Sequence, residues 1–148
     1  MVEQADSAIA AWRQVLGAEA VIADAEGVQA YTVALCASRR EVPCVLRPAD
    51  ADEVRAVVRI ANQFKTPLYP VSRGAQWGMG SRLPVRDGAV IVDLARMNRI
   101  IEINEAHHYA VVEPGVTQGQ LIDHIAQNGL DLMLNVTGST STTSLIGN

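Results

Sequence analysis

A glycine-rich bend that follows a short apolar strand sets the strongest constraint on this chain. The strand is Leu68-Tyr69-Pro70-Val71, and the bend continues as Ser72-Arg73-Gly74-Ala75-Gln76-Trp77-Gly78-Met79-Gly80. Three glycines within seven residues leave little side-chain bulk. Such backbone can curl and turn successive N–H groups toward one anion. Ser72 adds a hydroxyl and Arg73 a positive charge, which suits a diphosphate. A glycine-rich surface turn fits the same residues. Spacing excludes two familiar nucleotide loops. Met79 and Gly80 follow Gly78 where a Walker loop needs Lys-Ser/Thr, and Leu83 stands where a dinucleotide fingerprint starting at Gly78 needs glycine.

At 148 residues a single domain is expected, and a 49% hydrophobic fraction supplies its core. Aromatics make up only 4%, so that core is aliphatic. A net charge of −4 without a block of like charge argues against a nucleic-acid partner. Cys36 and Cys44 are read as free thiols in a reducing compartment, and the expected location is cytoplasmic. No apolar run is long enough to span a membrane. The N-terminus lacks the basic and apolar regions of a secretory signal.

Helix and strand alternate along the chain. Ser7 is placed to cap a helix with Ile9, Trp12, Val15 and Leu16 on one side, stopped by Gly17. Residues 21–40 read as loop and short helix. Residues 43–46 form a strand, and Asp50 with Glu53 gives a capping pattern. The spacing of Val54, Val57, Val58 and Ala61 predicts the buried face of the helix that follows. With the strand Leu68–Val71, these elements make a βαβ unit whose diphosphate bend leaves the carboxyl end of a strand, where open parallel sheets bind ligands. Three short β-rich runs follow, 89–93, 100–103 and 109–113, and their close connections suit antiparallel pairing. Thr117 and Gln120 make a capping box for a last helix, with Val116 and Leu121 as its hydrophobic staple. Leu121, Ile122 and Ile125 are expected inside, Gly129 ends the helix, and 132–134 reads as a strand.

Two further segments can carry chemistry. At Glu113-Pro114-Gly115-Val116 a strand meets the capped helix; Gly115 permits close backbone approach, and the helix N-terminus beyond favours negative charge. An ordinary strand-to-helix turn explains the same residues. Residues 138–148 are dense in Ser and Thr, whose hydroxyls could meet ribityl or diphosphate oxygens, although a solvated terminus has the same composition. His107 and His108 lack a ligand cluster of suitable spacing and are read as exposed turn residues, so no metal is expected. Arg73 suits either a phosphate or a surface carboxylate.

The stretch 68–80 resembles the diphosphate loop of the vanillyl-alcohol oxidase / p-cresol methylhydroxylase (PCMH-type) flavoproteins. The similarity continues at Gly88-Ala89-Val90-Ile91-Val92-Asp93-Leu94, at Met97-Asn98-Arg99-Ile100, at Val112-Glu113-Pro114-Gly115-Val116-Thr117 and at Gly138-Ser139-Thr140-Ser141-Thr142-Thr143-Ser144-Leu145-Ile146-Gly147-Asn148. The resemblance implies an α+β, PCMH-type FAD-binding fold: a helical lead-in over 1–42, a small βαβ subdomain over 43–87, and over 88–148 the start of a second, mixed or antiparallel sheet subdomain with helices. FAD is then the cofactor. Its expected contacts are Ser72, Arg73, Gly74, Ala75, Gln76 and Gly78 of the first bend, Pro114 and Gly115 of the second, and Gly138, Ser139, Thr143, Ser144 and Asn148 of the last segment.

As the front portion of such a flavoprotein, the chain lacks the rest of the FAD domain and a substrate-cap domain, so no catalytic residue is assigned. The implied activity is oxidation of a small organic substrate by hydride transfer to FAD, with the substrate met through the missing domain. Gln76 replaces the histidine that links the flavin covalently in some relatives, which excludes that bond here. The phenol-oxidising branch often has a Pro-Asp pair where this chain has Thr137-Gly138-Ser139. An alcohol or hydroxy acid therefore stands beside a phenolic alcohol as substrate. The other reading is a non-catalytic fragment or split-subunit module that joins a partner supplying the missing half; a homo-oligomer or a complementary subunit is the expected assembly.

Overall fold

The computed structural model describes residues 2–33, 39–75, 82–135 and 140–147. In chain order these form α1 (Val2–Leu16), β1 (Val21–Ile22), α2 (Ala25–Thr32), β2 (Val45–Leu46), α3 (Ala51–Phe64), β3 (Leu68–Val71), β4 (Val90–Asp93), β5 (Ile100–Asn104), β6 (Tyr109–Val112) and α4 (Gln118–Gln127). The α+β class expected from the sequence is what forms. A four-stranded sheet has the order β1-β2-β4-β3, and a separate two-stranded sheet pairs β5 with β6.

β4 runs parallel to both β2 and β3 and lies between them. The expected antiparallel pairing of this run is therefore corrected. Its four residues are all buried, as befits a central parallel strand covered on both faces. The strand-helix-strand unit β2-α3-β3 is split, its two strands separated by the width of β4. Among the described residues the antiparallel strand pairs are β5–β6, with a bulge between Ile100 and Glu102, and the short β1–β2 edge.

Alternation along the sheet aims Cys44, Leu46, Val90 and Val92 at the layer of α1 and α3, where they join Ala8, Trp12, Leu16, Val57 and Ala61 in one core. Trp12 ties the two helices, its Nε1 donating to the Val57 carbonyl at 3.2 Å. Ser7 does not cap α1, which starts at Val2; Ser7 stands inside the helix. On α3 the inward face is Val57 and Ala61 with Ile60 and Phe64, whereas Val58 is 43% exposed. Asp50 caps that helix as expected, but Glu53 accepts from the Ala49 amide, one residue before the cap, so no closed capping box forms.

α4 has the full capping box of Thr117 and Gln120, with Val116 and Leu121 buried beside it. It ends at Gly129, φ 62°, where Leu130 N donates to Ile125 O and Gly129 N to Ala126 O, a left-handed closure that suits glycine. Ile122 faces solvent, 48% exposed, against expectation. Residues 132–134 form no strand; they have no regular structure. Residues 21–40, read as loop and short helix, also hold β1.

Candidate functional site

Three segments distant in sequence meet at the carboxyl ends of the parallel strands. The bend after β3 carries Ser72, Arg73, Gly74 and Ala75. With Tyr69, Pro70 and Val71 they line a cavity of about 120 Å³, which Ser144 and Gly147 complete from the C-terminal segment. Arg73 Nη1 donates to the Gly115 carbonyl at 3.3 Å and so joins the second bend to the first. Neither partner left open for Arg73 by the sequence is the one it reaches here.

The second bend is held from two sides. Arg99 donates to Glu113 from its backbone amide at 2.8 Å and from its guanidinium at 3.0 and 2.7 Å. These hydrogen bonds and the adjacent positive charge hold the Glu113 carboxyl below its ordinary range. Gly115 has no room for a side chain: a Cβ would lie 2.6 to 2.8 Å from the carbonyl oxygens of Leu94, Met97 and Ala95. Pro114 does not line the small cavity.

The C-terminal segment docks on the first turn of α4. The amides of Gln118 and Gly119 donate to the carbonyls of Thr143 and Ser141, at 3.0 and 2.9 Å, and Leu145 N donates to Val116 O at 3.1 Å. Gln120 N is taken by Thr117 Oγ1 at 3.1 Å. The helix N-terminus expected to favour an anion is thus engaged within the protein, and its free amides are lost to any ligand. Gly119 is the sequence signal for this docking, since its Cβ would lie 2.9 Å from Ser141 O. Thr143 turns its hydroxyl toward Thr140. Ser144 Oγ accepts from Gly147 N at 3.0 Å.

Tyr31, Arg82 and Asp93 were not identified from the sequence, and they surround the first bend. Tyr31 donates to Asp93 Oδ2 at 2.7 Å, and Ala95 N donates to Asp93 Oδ1 at 2.9 Å. Arg47 Nε lies 4.0 Å from the same carboxylate. Burial and the Asp93 hydrogen bond push the Tyr31 phenol up to about 12, so it stays a donor at neutral pH. Arg82 lies over the Tyr31 ring, 4.8 Å from its centroid, and donates to the Arg73 carbonyl at 2.9 Å. No sequence signal marks these three residues, because each acts across more than one element.

Acceptor-rich anions fit these residues. Among the described residues, the backbone amides of 72–75 donate to no protein acceptor. Gly147 leaves a space that a Cβ would fill, 2.8 Å from Ser144 Oγ and 3.0 Å from Ser72 Oγ. The cavity is smaller than the roughly 300 Å³ at which whole-ligand pockets begin, so it suits one group of a ligand, the size of a phosphate. A larger cavity, about 920 Å³, lies at the amino ends of the strands between α1, α2 and residues 86–88 and shares no lining residue with it. Gln76, Gly78, Gly138, Ser139 and Asn148 lie outside the described residues.

Comparison with known proteins identifies the fold that carries these segments. A family described as "FAD binding domain" matches residues 42–148. The chain is 47% identical over 143 residues to 1'-carboxy-chondrochloren decarboxylase of Chondromyces crocatus, covering 97% of this chain and 26% of that protein. It is 33% identical over 146 residues to the 4-cresol dehydrogenase [hydroxylating] flavoprotein subunit of Pseudomonas putida, covering 97% and 28%. A crystal structure of p-cresol methylhydroxylase with substrate bound superposes with a TM-score of 0.95 at 32% identity, over 100% of this chain and 29% of that one. The family match and the fold thus define an FAD-binding protein. The chain belongs to the PCMH/vanillyl-alcohol oxidase family of flavoproteins and represents its N-terminal FAD-binding part.

Proposed function

We propose that this chain grips the diphosphate of FAD with the bend at 72–75 and the segment around Ser144 and Gly147, braced from behind by Gly115. The observation that carries this is the convergence of unengaged amides, two hydroxyls and a side-chain-free Gly147 on one small cavity. Arg73 lines the cavity and no carboxylate is among its described lining residues, which suits a negative group although the chain is acidic overall. On the family resemblance alone, Gln76, Gly78, Pro114, Gly138, Ser139, Thr143 and Asn148 are included in the same role.

The chain spans little more than a quarter of the relatives it matches. The whole protein's chemistry is accordingly read from kinship: a flavin-dependent oxidoreductase acting on a small organic molecule. When bound, FAD supplies the acceptor for the hydride that leaves the substrate; the residues here hold and orient it. The name of the Pseudomonas putida relative supports a phenolic substrate, and that of the Chondromyces crocatus relative supports a carboxylated one. A second reading, a module completed by another polypeptide, is favoured by the hairpin β5–β6, where Ile101, Tyr109 and Val111 are 62, 43 and 41% exposed. Two strands alone are marginal in water.

FAD titration of the intact protein, followed by flavin absorbance and fluorescence, tests the cofactor reading. Saturable binding of one FAD per chain is expected. Gly147→Ala, which crowds both serine hydroxyls, lowers affinity by about tenfold, or 1.4 kcal/mol. Equal affinity of wild type and variant, or a wild type that does not bind, overturns it. Gly74→Val is a poorer probe: a Cβ there points into the Arg82 side chain and not along a ligand path, and Gly74 has φ +66°.

A further inference from the structure

The contacts around the first bend close into a ring. Tyr31 of α2 supports Arg82, Arg82 donates to Arg73 O, and Arg73 donates to Gly115 O. Gly115 packs against the carbonyls of Leu94 and Ala95, Ala95 N donates to Asp93, and Asp93 accepts from Tyr31. Both glycine bends are members of this ring, and nothing in the proposed grip on the diphosphate needs Tyr31 to touch the ligand.

We propose that Tyr31 and Arg82 are positioning residues, a latch that holds residues 72–75 in the curl that receives the diphosphate. This rests on the cofactor reading above. The Arg82 side chain is wedged between two surfaces. One is the Tyr31 ring; the other is the Gly74 backbone, where a Cβ would lie 2.2 to 2.7 Å from Arg82 Nε, Cγ and Cδ. Glycine is needed at 74 both for its left-handed φ of +66° and as the seat of Arg82. A bend this free of side chains is otherwise mobile in the unbound protein, and ordering it on binding weakens affinity. The latch removes that freedom beforehand. Its base is firm: Asp24 caps α2 by accepting from Gly27 N at 2.7 Å, and Gly27 sits so close to β1 that a Cβ would lie 2.4 Å from Ile22 Cγ2.

Two measurements on the intact protein test this. The first is nitrogen-15 relaxation of the backbone without FAD, a readout that needs no hydrogen bond at the amide. Tyr31→Leu and Arg82→Met are expected to lower the order parameters of the 72–75 amides from about 0.85, a rigid backbone, to below about 0.6 and to leave α4 and β5–β6 unchanged. Unchanged order parameters at 72–75, or an equal fall everywhere, overturn the latch. The second is a double-mutant cycle on FAD affinity. Each single variant should lose about tenfold, and the double variant no more than the weaker-binding single one. Additive losses overturn the latch. Should Tyr31→Leu fail to fold, Arg82→Met alone decides by the first measurement: a looser 72–75 supports the latch and an unchanged one overturns it. A wild type that binds no FAD refutes the cofactor reading, and the first measurement still decides the latch.

Discussion

Cys44 shows how far burial can move one group. It is fully enclosed beneath α1, and desolvation pushes its thiol up to about 12. In the unfolded chain a cysteine ionises near about 8.5. The stability that this neutral thiol contributes is complete below that value and is lost as pH rises toward 12; Tyr31, raised from 10.0 to about 12, adds a further loss only above pH 10. Urea midpoints should therefore fall progressively between pH 8 and 10, and a flat midpoint contradicts the assignment. At pH 8 the folded protein should protect Cys44 from a thiol reagent, and urea should expose it, as peptide mapping by mass will tell. Glu113 has the opposite sign. Its carboxyl is lowered by Arg99, so its contribution is present above the ordinary carboxylate range and lost as pH falls through the lowered value. Glu113→Gln should melt below wild type at pH 7, with the gap closing toward pH 3.

Among the elements, α1 and α3 are the pair most exposed to a single change. Trp12→Ala empties the largest fully buried side chain and breaks its bond to Val57 O, and should cost about 3–5 kcal/mol by thermal or urea melting. Thr117→Ala removes one cap of α4 and should cost about 1 kcal/mol. Elements written in local chemistry were legible in the sequence: the Asp50 cap, the strand at 68–71, and the Thr117–Gln120 box with its staple. Elements decided by partners far along the chain were not. β4 has an apolar run that fits either pairing, and only its insertion between β2 and β3 makes it parallel. Glu53 reached Ala49 N in preference to the cap, a choice that depends on the incoming chain and not on the spacing. For the proposed site, Ser72, Gly74 and Ser144 could be named from the sequence by what they lack or carry, and the structure brings them to one cavity, whereas Pro114 lies off it and Thr143 turns to Thr140. Tyr31, Arg82 and Asp93 act only through the packing of α2 on the sheet, which no local pattern announces.

For the whole molecule, the proposed site is an assembly of residues 72–75, 115 and 144–147, so ligand binding there would report on the complete fold. FAD at about one hundred times its dissociation constant should stabilise the protein by about 2.7 kcal/mol, read as a rise in melting temperature. No helix among the described residues is long and apolar enough to cross a membrane. The C-terminal residues 140–147 are attached by the amides of Gln118, Gly119 and Leu145 and by the Thr117–Ser144 bridge, and among the described residues they pair with no strand of the four-stranded sheet. A protease cut behind residue 135 would thus detach one wall of the clasp while every rung of the ladder stayed in place. On the proposed grip, such a nicked molecule should keep its scaffold and release its guest, so that retention of the flavin would be tuned by a few peptide contacts without endangering the fold.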